Sequence, residues 1–165
     1  MQYLAGYAPD IQDKVAALLK SGRLEPWLKQ RYPQSHSELN RDNTLYQYAM
    51  GLKQRYLKKS PPLAKVVFDD KISLKHQALG LHTYASRVQG NKVKTRNEIR
   101  IASKLKQLPD PLIRMVLVHE LAHLKEKDHN KAFYQLCQHM EPDYFQLEFD
   151  LRLYLTLLEH QQQGE

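Results

Sequence analysis

Residues 119–123 read His-Glu-Leu-Ala-His, at the end of a stretch beginning at Leu112 that is otherwise almost wholly apolar. In an α-helix, residues four apart share a face, one turn above the other. His119 and His123 can therefore aim two imidazole nitrogens at one point, at the roughly 2.0–2.1 Å that a zinc ion requires. Glu120 lies about 100° round the helix from His119, within reach of a water at that point without ligating the ion. Such a carboxylate can take the water's proton as oxygen attacks a carbonyl, then return a proton to the leaving amine. Ionisable groups in an apolar helix are costly to bury without a purpose. The pattern predicts metal-dependent peptide hydrolysis, with Zn2+ as cofactor, Glu120 as general base and a peptide or protein as substrate.

Two histidines do not complete a catalytic zinc site, which takes three protein ligands and leaves a fourth position open. His129, six residues after His123, is the best third candidate, because Asp128-His129-Asn130 reads as a break between helices where the chain can turn back. Metzincins place a third histidine at this spacing, with a glycine halfway that eases the turn. Here that place is Glu126, which argues against a metzincin proper. Carboxylates of the last helical region, above all Glu148, are the rival ligands. His82, Tyr84, Arg100, Tyr134 and Tyr144 are candidates for stabilising the developing oxyanion. His36, His76, His139 and His160 read as surface or structural residues, and Cys137, on an apolar helix face, as a small core residue.

The elements that must position these groups form an α+β chain. Up to about Ser60 the sequence reads as helical. Asp10 is placed to cap a first helix, a second runs from Leu24 to Tyr32, and a third from Asn43 to about Lys59 ends before Pro61-Pro62. Lys65–Phe68 and Ile72–Leu74 flank Asp69-Asp70-Lys71 as a hairpin would. Leu81–Val88 and Glu98–Ala102 read as further strands, giving a small, mostly antiparallel sheet. Pro109-Asp110-Pro111 starts the helix that carries the motif, with Asp110 expected at its cap. Two more helices follow, from about Asn130 to His139 and from about Asp143 to Glu159, the last with a core stripe of Phe145, Phe149, Leu153 and Leu157. Residues 1–60 are thus expected to be an N-terminal helical extension and residues 61–165 the metallopeptidase domain, together one compact unit.

Val118–Lys125, His129–Tyr134 and Pro142-Asp143-Tyr144, with Ala78–Thr83 and Ser86–Gly90 in the middle of the chain, resemble the YgjP-like metallopeptidase family. That family is similar to SprT-like and other small zincin domains. The resemblance implies a zincin-like fold, a short sheet packed on the active-site helix, with zinc ligands His119, His123 and His129 and Glu120 as general base. It also implies that an edge strand pairs with an extended substrate backbone, the role expected of Glu98–Ala102.

Composition narrows the setting. A chain of 165 residues, 42% hydrophobic, holds no run near the roughly 18 apolar residues of a membrane span, and its start lacks the pattern of a secretory signal. The single cysteine suits a reducing compartment, so a cytoplasmic location is expected. The net charge is +7, and Arg87–Lys106 carries seven basic side chains against the single acid Glu98. A solvated face explains that stretch; nucleic acid is its other possible partner, the alternative being a SprT-like protein with a DNA-dependent protease or a structural zinc site.

Overall fold

The computed structural model describes residues 1–33, 37–72, 85–89 and 97–164, with the backbone alone for 85–89. Helices α1 (Pro9–Lys20), α2 (Leu24–Arg31) and α3 (Asp42–Tyr56) are followed by strands β1 (Leu63–Asp69), β2 (Ala85–Gln89) and β3 (Asn97–Ala102). Helices α4 (Asp110–Ala122), α5 (Lys131–Met140) and α6 (Tyr144–Gln163) complete the chain, which is α+β as expected.

Helix α4 is the centre of the molecule. Ten of its residues, Leu112, Ile113 and Met115–Ala122, are buried, so neighbours must enclose it on nearly every side. Helices α3, α5 and α6 and strand β2 do so. Strand β3 leads into it through a 3-10 turn, Ser103–Gln107, held by the buried Leu105 and Leu108. Two expected caps are displaced. Asp10 lies in the first turn of α1, behind an N-cap at Ala8. Asp110 is likewise the first residue of α4, after Pro109, and its carboxylate turns away from its own helix to accept from Ser37 Oγ at 2.6 Å and the Glu38 N–H at 2.8 Å.

The sheet corrects the expected strand directions. Its order is β1-β3-β2, with β1 parallel to β3 and β2 antiparallel to it. A parallel pair needs a long crossover, and residues 70–96 supply the length for one, so β1 has no need of a hairpin partner immediately after it. Among the described residues β1 pairs with β3 alone, and the expected hairpin partner Ser73-Leu74 lies outside them, as do residues 81–84 of the expected third strand. Strand β3 is also not the edge expected to receive a substrate backbone: both its sides are already paired. Its Ile99 and Ile101 are fully buried, while Glu98 and Arg100 are half-buried and bonded to each other at 2.9 Å. Asp42, at the start of α3, accepts from the backbone N–H of Phe68 at 2.9 Å and ties that helix to β1.

Helix α6 joins two apolar clusters. Tyr144, Leu147, Leu151 and Leu155 belong to the main core with α4 and the sheet. Leu153 and Leu157 meet Leu4, Val15, Leu24 and Leu28 of the N-terminal elements. The expected stripe therefore holds at its C-terminal end, whereas Phe149 is half-buried and Phe145 is 47% exposed. Beside this second cluster, the fully buried Asp150 carboxylate accepts from Arg31 Nε at 2.6 Å, from Gln146 Nε2 at 3.0 Å and from the Tyr32 hydroxyl. Burial, and then this bond, push the Tyr32 hydroxyl far above its ordinary pKa, so it stays a donor.

Asp150→Ala removes the acceptor that three side chains share. Arg31 is 40% exposed and can recover water, so the expected loss is about 1–3 kcal/mol rather than that of a sealed charge. Urea unfolding measures it; a midpoint equal to that of the unsubstituted protein would show that the carboxylate does not tie α2 to α6.

Candidate metal centre

The last turn of α4 carries His119 and Glu120, each with only 3% of its surface exposed. The helix ends at Ala122 with His123 as its C-cap, and the next amides fold back, Leu124 N–H to the Leu121 carbonyl and Glu126 N–H to that of Ala122. The Asn130 N–H then closes on the Asp128 carbonyl at 2.8 Å, and the Asn130 side chain caps α5 by accepting from the Phe133 N–H at 2.9 Å. This reversal brings His129 back over the end of α4. The turn needs no glycine at 126, because no residue of the described chain other than Gly22 has positive φ.

Three imidazoles converge there. The ring centroids of His119, His123 and His129 form a nearly equal-sided triangle with edges of 5.0, 5.0 and 4.8 Å. One nitrogen of each lies within 4.8 Å of the others, and His123 Nε2 and His129 Nε2 are 2.9 Å apart. Two ligands at 2.0–2.1 Å from a tetrahedral ion stand about 3.4 Å apart, a value inside that range. The donor set fits the ion the sequence suggests. Burial is graded from His119, enclosed, through His123, half-buried, to His129, exposed, so the group opens to solvent on one side.

Two contacts turn the rings. His119 Nδ1 is 2.7 Å from the Tyr144 hydroxyl and His123 Nδ1 is 3.0 Å from the Glu126 carbonyl, which leaves the Nε2 edge of each ring for the common point. Glu126, which stands where a metzincin has glycine, thus serves through its backbone. Beneath the three rings lies Phe133, fully buried, with its centroid 4.9, 4.6 and 4.9 Å from those of His119, His123 and His129. Neither Phe133 nor the orienting role of Tyr144 was singled out from sequence. A signal existed for Phe133: it lies three residues past a capping asparagine, on a face continued by Cys137 and Met140.

Cys137 is fully buried, and burial pushes its thiol up to about 12, so it is neutral and fits the expected core role. Glu148, the rival ligand, is not in the histidine group; it lies 3.4 Å from Arg152 Nε, and burial raises its carboxyl while Arg152 opposes the rise. Of the oxyanion candidates, Tyr144 is sealed behind His119 and Arg100 is engaged with Asp69 and Glu98. Tyr134, half-buried with its ring centroid 6.4 Å from that of His129, remains near the open side, while His82 and Tyr84 lie outside the described residues. His139 is exposed and set edge-on to Tyr56 at 5.1 Å, and His160 is exposed; His36 and His76 lie outside the described residues. Of the basic stretch, Arg100 is ion-paired and Lys106 sits 5.2 Å from the Phe68 ring centroid. Among the described residues no helix is long and apolar enough to cross a membrane.

The pattern of the family described as "YgjP-like, metallopeptidase domain" matches residues 29–154. A UTP pyrophosphatase of Escherichia coli (strain K12) is 52% identical over 158 residues, covering 96% of this chain and 94% of its own length. No solved structure matches the chain. A metallopeptidase domain implies a metal, and the group His119, His123 and His129 could hold one. The chain belongs to the YgjP-like metallopeptidase domain family.

Proposed function

We propose that this chain is a metal-dependent hydrolase that cleaves the α–β phosphoanhydride bond of UTP, with zinc held by His119, His123 and His129 and Glu120 as general base. The observation that carries the metal chemistry is the convergence of three imidazoles, one side open, on a helix turn that also carries a buried carboxylate. The substrate rests on the relative named a UTP pyrophosphatase, whose likeness extends over nearly the whole of both chains. The net charge of +7 favours the same class, since a triphosphate is drawn to positive charge.

A bound zinc ion would polarise a phosphoryl oxygen and make water a stronger acid. Glu120 would take the proton that water sheds as its oxygen bonds to the α-phosphorus. The bond from that phosphorus to the bridging oxygen breaks, and pyrophosphate leaves with UMP as the other product. Glu120 has 3% of its surface exposed, so bulk water competes little for its carboxylate. Tyr134, whose ring centroid is 6.4 Å from that of His129, is the candidate for stabilising a developing negative charge. The cytoplasm, expected from the single cysteine, is where such a substrate is available.

Peptide hydrolysis is the second reading, favoured by the family's description and by the His-Glu-x-x-His pattern itself. There Glu120 passes the water's proton to the leaving amine. The two readings share the centre and differ in what approaches it.

Zinc-loaded protein should release pyrophosphate from UTP. If pyrophosphate stays at the level of a metal-free control while a peptide library is cut, the substrate assignment passes to the second reading. Glu120→Gln is expected to keep its zinc and lose about 10²–10⁴-fold in turnover of whichever substrate is cleaved; full activity would remove Glu120 from the mechanism. His129→Ala is expected to drop zinc content from about one ion per chain to a small fraction of that after dialysis. Unchanged stoichiometry would hand the third position to another group, Glu148 first among them.

A further inference from the structure

A cavity of about 470 Å³ lies between the end of α3 and the turn that follows His123, and its charged lining is wholly basic. Arg55 comes from the last turn of α3, Lys58 and Lys59 from just past its end, and Lys125 from the turn after His123. They meet because α3 stops at Tyr56 and the chain folds back. The Leu57 N–H bonds the Lys53 carbonyl at 2.7 Å, and the Ser60 N–H bonds that of Leu57 at 3.0 Å. Glu126 and Asp128 follow Lys125 in sequence but do not line the cavity. Other concavities of the molecule are balanced: one is lined by both Lys104 and Glu159, another by Lys29 and Glu25, which stand 3.2 Å apart.

Four cations around one cavity repel each other unless something offsets them. The C-termini of α3 and α4 adjoin the cavity, and each carries about half a negative charge. Together they answer about one cation of the four. None of the four forms an ion pair with another described residue. Arg55 has an aromatic neighbour instead, its guanidinium carbon 5.1 Å from the Tyr56 ring centroid. On an open face, water alone would solvate such side chains at little cost. Here buried Leu57 and Leu124 form part of the wall, and a low-dielectric concavity focuses the field of its charges.

We infer that this cavity is a binding site for a small polyphosphate anion, either pyrophosphate or the phosphate tail of a nucleoside triphosphate. Its volume falls within the roughly 300–1,000 Å³ of small-ligand sites. A polyphosphate gathers several negative charges into a compact ligand, and an arginine fork beside lysine point charges suits its oxygens. A single carboxylate would leave most of the cations unanswered. A nucleic-acid strand spreads its charge along an extended backbone and calls for a basic track rather than a closed group. Although Leu124 and Lys125 directly follow His123 in the chain, the site shares no residue with the histidine group, so it stands whichever substrate is cleaved there.

Calorimetric titration of the full chain with inorganic pyrophosphate tests the site. The variant Lys58→Gln/Lys59→Gln/Lys125→Gln removes three exposed charges and should bind at least about tenfold more weakly, the loss expected for one charge-assisted hydrogen bond or more. Lys14→Gln/Lys20→Gln/Lys71→Gln removes the same charge from exposed positions outside the cavity, and should stay within about twofold of the unsubstituted protein because salt screens distant charges. His129→Ala should retain pyrophosphate binding, which separates the cavity from the metal centre. Equal weakening by the two triple variants overturns the inference, as does loss of binding in His129→Ala or no binding at all. If the anion is the substrate's own tail, the cavity variant also raises KM for UTP with kcat nearly kept. If it is a second anion, KM stays and pyrophosphate still binds at saturating UTP; both results keep the anion in the cavity. Pyrophosphate binding without UTP turnover removes the UTP reading and leaves this site standing.

Discussion

A helix buried on nearly every side that ends in His119 and Glu120 sets the constraint on which the rest of this structure depends. Ionisable groups cannot be carried into an apolar interior unless something receives them, and the surrounding elements are arranged to do so. Tyr144 reaches His119 from α6, and Phe133 of α5 fills the volume beneath the imidazoles. Strand β2 packs on the helix, and the polar turn at its end faces the reversal that brings His129 back. Helix α4 thus acts as a rigid mount. Its apolar length fixes where its last turn sits, to the tolerance that a close-packed core imposes.

The gradient of exposure across the three histidines follows from the same mount. His119 comes from inside the helix, His123 from its cap and His129 from the loop beyond, so the imidazoles emerge step by step towards solvent. A centre built this way is held firmly at its floor and remains accessible at its rim. The carboxylate of Glu120 shares the enclosed level with His119, and the approach from outside passes His129 and the half-buried Tyr134. Helix α6 supports this arrangement from behind while reaching α2 through the bond of Asp150 with Arg31.

Much of the site was legible in the chain because helical spacing converts directly into geometry. The four-residue step from His119 to His123 and the break at Asp128-His129-Asn130 were enough to bring the three imidazoles together on paper. The sheet was harder to read. Strand propensity placed β1 and β3 near their observed ranges, yet their parallel pairing depends on where the chain between them travels, which alternation of side chains does not encode. Glu98–Ala102, given an edge role by the family resemblance, is the middle of the three described strands. Asp110 and Asp150 were misjudged or missed because their partners, Ser37 and Arg31, are 73 and 119 residues away in sequence. Phe133 and Tyr144 belong to the same class: their roles arise from contacts between helices, not from any local pattern.

The central claim is that one metal ion sits on three imidazoles with a fourth position left to solvent. X-ray absorption at the zinc edge of the loaded protein reads that directly. The account predicts three nitrogen scatterers with imidazole character and one further oxygen, all at about 2.0–2.1 Å. A sulfur at about 2.3 Å, or a shell closed by a second protein carboxylate with fewer than three imidazoles, would contradict it.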